Sequence, residues 1–332
     1  MAKKNNKGIF LKVAIVAAVV VAGFGIYTVA NKSNTDSGEL EKTSLRLKWI
    51  HQAQFSGYYM AKKEGFYSKA GLDVTIDPAG PNISPIQMVT SGINDFGILG
   101  GSEIIKARSQ GIPVVAIATI LQNNPISLVS LKKDNITKPQ DLIGKRVGVV
   151  YGNDEELYRE YLRINNIDKS QVKEVAALPG GSQLLSGQVE VLMAYSTSVP
   201  VQLALKDVET NVTNLAKETN DMYGDTLFTT EAMIKNNPDK VRQFVQASLQ
   251  GWKFAIANQD VTIDEVMKAN PSLERAAQVG YLENMIPYMG DQSKLGQSKK
   301  ETWERMQDIL IQSKSIHKKI DVTQAFTNRF VE

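Results

Sequence analysis

The chain has 332 residues, 42% of them hydrophobic and 22% charged, enough for two lobes of about 100–150 residues, each with its own core. Four lysines and no acid occupy the first 30 positions. The formal charge of +3 therefore hides a body of 34 basic against 35 acidic residues, which excludes an electrostatic nucleic-acid binder. There is no cysteine and there are only two histidines, which excludes disulfides, thiolate metal sites, a lipid-bearing lipoprotein cysteine and any histidine-rich metal centre.

Residues 1–8 form a basic flank, and residues 13–30 carry no charge. Extended back to residue 9, this run is long enough to cross a bilayer as a helix, at about 1.5 Å per residue. The lysines precede it, so the positive-inside rule keeps the start in the cytoplasm and exports the rest. Residues 9–30 are expected to be a transmembrane anchor. The alternative is a cleaved signal segment ending at the small residues Thr28, Val29 and Ala30. Residues 31–43 then read as a linker.

The body alternates. Strands are expected at 45–50, 74–76, 95–99 and 114–121, with helices at 55–69 (ended by Gly71) and at 86–91 (ended by Gly92). Further strands follow at 146–150 and 190–195. Near 236–258, Val241, Phe244, Val245 and Leu249 mark a helical stripe. Strands separated by helices imply parallel sheets. The expected layout is lobe 1 over 44–129, lobe 2 over 130–223, and a return to lobe 1 with C-terminal helices over 224–332. The chain would cross between lobes near 128–131 and again near 223–228.

In open α/β sheets, ligands sit beyond the carboxyl ends of strands. Three such places stand out. In "WIHQAQFSGYY", Trp49, Phe55 and Tyr58 offer ring faces, and Gln52 and Gln54 offer uncharged donors and acceptors. In "GILGGSE", Gly100 and Gly101 allow close backbone approach, and Ser102 is placed to cap a helix and leave amides free. In "VVYGNDEE", Tyr151 ends a strand and offers a ring face across the cleft, Gly152 makes the turn, and Asp154 to Glu156 serve the helix dipole. Tyr195 and Asp225 complete the expected set. No cationic contact is evident in these loops, which disfavours an oxyanion ligand. No G-x-S-x-G, P-loop or H-E-x-x-H motif occurs, which favours binding over catalysis.

Four ordered blocks carry a resemblance: "LKWIHQAQFSGYYMAKKEGFYSKAGLDVTI", "SGINDFGILGGSEIIKARSQGIPVVAIATILQNNP", "DLIGKRVGV" and "NNPDKVRQFV". Over about residues 45–258 the chain resembles the thiamine-pyrimidine-synthase-like, SsuA-like family of ABC transporter solute-binding proteins. The resemblance implies an α/β, two-lobed periplasmic-binding-protein fold of type II. It also implies a small-molecule ligand of the vitamin-precursor class (a thiamine pyrimidine precursor or riboflavin) and ABC permease and ATPase subunits as partners. A monomer without cofactor or metal is expected. The same family includes synthases that use pyridoxal phosphate and their own histidine. Aligned on the D-F-G block, their lysine falls on Leu99, their consumed histidine on Glu103 and a further histidine on Phe55. Their cysteine cluster falls near 220–223, where this chain has none. Leucine forms no Schiff base and glutamate donates no imidazole carbon, so the resemblance implies a binding protein rather than an enzyme.

Overall fold

The computed structural model describes residues 39–332 apart from 81, 82, 153, 220 and 221. The expected anchor or signal segment at 9–30 and the basic flank before it lie outside the described residues. Among those described, no helix is long and apolar enough to cross a membrane.

In chain order the strands are β1 (Glu41–Arg46), β2 (Leu72–Asp77), β3 (Phe96–Gly100), β4 (Val114–Thr119) and β5 (Ile126–Leu131). Then come β6 (Arg146–Val149), β7 (Lys173–Ala176), β8 (Val191–Tyr195), β9 (Thr210–Asn214) and β10 (Asp225–Thr230). They form two five-stranded sheets, ordered β2-β1-β3-β10-β4 and β7-β6-β8-β5-β9. β4, a nearly continuous apolar run, and β5, which carries Ser127 and Ser130 among its apolar residues, are buried along their whole length, as befits strands covered on both faces. β2 alternates buried and exposed at a sheet edge.

Both sheets are mixed rather than parallel. β10 runs antiparallel to β3 and β4, and β5 runs antiparallel to β8 and β9. Each of these two is the first strand after a crossing between lobes, so it enters its sheet from the cleft side. The first crossing lies between β4 and β5, before the expected 128–131. The second lies between β9 and β10, and β10 is wholly in the first sheet. The crossing segments are hydrogen-bonded to each other: Ile120 and Leu121 donate to Asp225 O at 2.9 and 3.1 Å, and Gly224 donates to Leu121 O at 2.9 Å.

β1 starts inside the expected linker and ends four residues before the expected strand end, so Trp49 lies in the loop beyond it. The expected helix at 55–69 is two helices, Ser56–Lys63 and Phe66–Lys69, parted at Gly65, whose φ of 70° favours glycine. Helix Ser56–Lys63 packs on Pro238–Ala257, whose predicted stripe of Val241, Phe244, Val245 and Leu249 is buried. Phe244 stacks on Phe96 with ring centroids 4.1 Å apart. Two helices touch both lobes. Lys300–Gln312 lies against Gly101–Ser109 and Glu155–Ile164, and Arg275–Met285 meets the Ala53–Phe55 turn and the Val199–Ala204 helix.

Candidate ligand cleft

Because β5 and β10 are reversed, their first residues reach the cleft together with the last residues of the other strands. Lys48 and Trp49 follow β1, Asp225 opens β10 and Ile126 opens β5. Val150 follows β6, the 177–180 loop follows β7, and Tyr195 ends β8. Most of these groups surround one cavity of about 220 Å³ between the lobes. Trp49, Leu178, Pro179, Met193 and Val199 supply apolar wall, and Gln52, Gln54, Ser198, Gln202 and Tyr281 supply uncharged polar groups.

The floor is charged. Lys48 Nζ donates to Tyr195 Oη at 3.2 Å and lies 3.6 Å from Asp225 Oδ1 and 3.9 Å from Asp154 Oδ2. Asp225 Oδ2 accepts from Gln54 Nε2 at 2.7 Å, and Asp154 Oδ1 accepts from Asn124 Nδ2 at 2.6 Å. Gln54 Oε1 in turn accepts from Gln52 Nε2 at 2.7 Å and Tyr281 Oη at 3.1 Å. Lys48 thus joins groups of both lobes. Burial pulls its ammonium down, but Tyr195, Asp154, Asp225 and Glu103 outweigh burial and hold it well above the ordinary lysine value. Lys48, helped by Lys106 at Asp154 and Glu103, does not fully compensate these acids, so burial holds Asp154 and Asp225 above the usual aspartate range.

Glu103 is pushed up to about 7, by burial first and then by Asp154, against the pull of Lys48. Its carboxylate accepts the Gly100 N–H at 2.6 Å. The folded state therefore holds a proton that the unfolded state releases near the ordinary value of 4.5. Glu103 contributes stability fully present below that value and lost as pH rises through about 7. Glu103→Gln keeps an acceptor for Gly100 and removes the titration. Urea unfolding of the variant is expected to show a flatter stability profile between about pH 4.5 and 7 than the parent. An unchanged slope would remove Glu103 as its source.

The expected site residues divide. Trp49, Gln52, Gln54 and Tyr195 line the cavity, and Asp225 stands behind Gln54 and Lys48. Phe55 and Tyr58 are corrected to core: the chain enters a helical turn at Ala53, which points both rings inward, and Tyr58 meets Trp252 edge-on at 5.7 Å. Contrary to the expectation from sequence, Ser102 does not cap the helix. Gly100 caps the helix in place of Ser102, its N–H is taken by Glu103, and Gly101 packs on Met306 and Tyr223. Gly100 instead leaves room for acid, since a Cβ there would stand 2.9 Å from Glu103 Oε2 and 3.4 Å from Asp154 Oδ1. Tyr151 and Gly152 are exposed outside the cavity lining, with Tyr151 turned toward Glu174 at 3.4 Å.

Residues 52–262 match the family described as NMT1/THI5 like. The chain belongs to that family. Riboflavin-binding protein RibY of Chloroflexus aurantiacus is 28% identical to it over 306 residues, covering 88% of this chain and 86% of RibY. The 4-amino-5-hydroxymethyl-2-methylpyrimidine phosphate synthase of Legionella pneumophila is 22% identical over 295 residues, covering 87% and 92%. The crystal structure of the periplasmic aliphatic sulphonate binding protein SsuA from Escherichia coli superposes with a TM-score of 0.69 at 16% identity, covering 88% and 99%. The fold is therefore the two-lobed periplasmic-binding-protein fold.

Of the positions aligned with synthase residues, Leu99 is buried in the core and Glu103 is spent on the Gly100 amide. Residues 220 and 221 of the cysteine-cluster comparison lie outside the described residues. Sequence reasoning missed Lys48, the cation it failed to find, and placed Asp154 on the helix dipole. Asp154 instead takes a left-handed φ of 56° before the helix and turns into the cavity. It also missed Tyr281 and the 178–180 loop, although "LPGG" after an edge strand was a readable signal.

Proposed function

We infer that the chain is the extracytoplasmic solute-binding component of an ABC importer, holding a small heteroaromatic ligand between its lobes. The observation that carries this reading is the cavity at the cleft, where an indole and apolar wall face uncharged donors and acceptors from both lobes. RibY, by its name a riboflavin-binding protein, supports the ligand class. The cavity volume of about 220 Å³ lies below the roughly 300–1,000 Å³ of drug-sized sites, so it suits a single ring as it stands. A tricyclic flavin enters with the lobes farther apart. The permease and ATPase subunits of such an importer would be its partners. The synthase reading draws support from the Legionella relative, but Leu99 and Glu103 offer neither the Schiff-base amine nor the imidazole it needs.

Native mass spectrometry of the chain purified from cells is expected to reveal a co-purifying aminopyrimidine or flavin. Fluorescence titration with each compound is expected to give saturable binding, weakened about two- to tenfold by Trp49→Ala through lost stacking. Tyr151→Ala is expected to leave that affinity unchanged, because Tyr151 is outside the cavity lining. Binding of neither compound, or turnover of pyridoxal phosphate into a pyrimidine, would overturn the reading.

A further inference from the structure

The cleft floor holds polar groups in two conditions. Asp225 is committed, with Oδ2 accepting from Gln54 at 2.7 Å and Oδ1 from Tyr195 at 3.4 Å. Gln54 is committed too, donating to Asp225 and accepting from Gln52 and Tyr281. Lys48 and Asp154 are not. Among the described residues the Lys48 ammonium, with three N–H groups, donates within hydrogen-bond distance only to Tyr195. Asp154 Oδ1 accepts from Asn124, while Oδ2 has, among the described residues, only the ammonium 3.9 Å away. That separation is too long for a hydrogen bond between them. Both side chains are more than nine-tenths buried and both line the cavity.

We propose that Lys48 and Asp154 form a donor–acceptor pair that reads one edge of a neutral heterocycle, and that the carboxylates behind them turn anions away. The proposal rests on the reading of the cleft as a heteroaromatic site and names what that site selects. A ring edge carrying an acceptor beside an N–H donor, such as an imide or an aminopyrimidine, satisfies both open groups at once. A sulfonate or nitrate offers acceptors only. It would satisfy Lys48, leave Asp154 Oδ2 without a donor, and add a negative charge to a buried site where Asp154, Asp225 and Glu103 already draw on the Lys48 ammonium, with Lys106 helping only at Asp154 and Glu103. The cation that the cleft possesses is thus no oxyanion site, because its charge is already claimed.

The test works from the ligand side and then from the protein side, by calorimetric titration of the full chain. Riboflavin is compared with 3-methylriboflavin, and a 4-aminopyrimidine with its 4-dimethylamino counterpart; methanesulfonate and nitrate are titrated alongside. The methylated compounds lack the edge N–H and are expected to bind at least about tenfold more weakly, with no binding of either anion. Asp154→Asn, checked for an intact thermal transition, is expected to weaken the parent heterocycle by a similar factor. The comparison of methylated ligands on the unaltered chain stands even where that variant does not fold. Equal affinity for parent and methylated ligands, or an unaffected folded Asp154→Asn, would overturn the pair while leaving the binding function intact. Binding of methanesulfonate or nitrate in place of any heterocycle, or of none of the compounds, would overturn both.

Discussion

Lys48→Met is expected to lower the urea midpoint of the chain strongly at pH 8 and much less at pH 5. Removing one partner of a buried ion pair costs about 3–5 kcal/mol, because the other charge stays buried without compensation. Here the ammonium faces Asp154, Asp225 and Glu103, and Lys106 remains to compensate only Asp154 and Glu103, so the loss falls within that range. The pH dependence follows from sign. These carboxylates already sit above their ordinary values in the folded state, and losing Lys48 raises them further. The folded variant then binds protons that the unfolded chain releases, so its stability rises as pH falls from those raised values toward the ordinary carboxylate range. Methionine keeps most of the lysine stem, so packing changes little. Equal losses at both pH values would assign the effect to packing rather than charge. Adding Asp154→Asn to Lys48→Met should recover part of the loss, and a double-mutant cycle measures how much.

Gly251→Ala is expected to destabilise the first lobe despite the better helix propensity of alanine. A Cβ at residue 251 would stand 2.1 Å from the Gly57 carbonyl oxygen and 2.6 Å from the Ala61 amide, both backbone atoms that no rotamer change can move. From the other side, a Cβ on Gly57 would meet the Trp252 ring at 2.2 Å. Helices Ser56–Lys63 and Pro238–Ala257 approach this closely only because both lack a side chain at the crossing. Overpacking costs about 1–3 kcal/mol and more when backbone must shift, against a propensity gain of at most about 1 kcal/mol. Equilibrium unfolding in urea should therefore show a net loss. A gain in stability would mean that the helices do not meet at this crossing. Trp49 and the two Gln residues stand just before helix Ser56–Lys63, so the same variant is expected to loosen the cavity wall.

Much of the fold was readable where local pattern and tertiary need coincide. The apolar run of β4 and the stripe Val241, Phe244, Val245 and Leu249 declare burial whatever their partners are. The reversed entry of β5 and β10 was not readable, because strand direction is set by pairing with distant segments and leaves no trace in local periodicity. The site divides the same way. Residue type marked Trp49, Gln52 and Gln54, but Phe55 and Tyr58 share the same chemistry and differ only in where a short helical turn aims them. Lys48 and Asp154 escaped because charge normally signals solvent. Their burial depends on each other and on Asp225, three residues scattered over about half the chain.

The hydrogen bonds between the two crossing segments limit how the lobes can move. Joined through Ile120, Leu121, Gly224 and Asp225, the segments form one ribbon rather than two independent links. A ribbon bends easily about one axis and resists twisting and sliding, so opening of the lobes is expected to be a single rotation. Groups attached near that axis travel least. Asp225 begins at the ribbon, and Asp154 is held by Asn124, which belongs to it. The acidic floor is therefore expected to be the pivot of that rotation, with the 178–180 loop on the far wall travelling farthest.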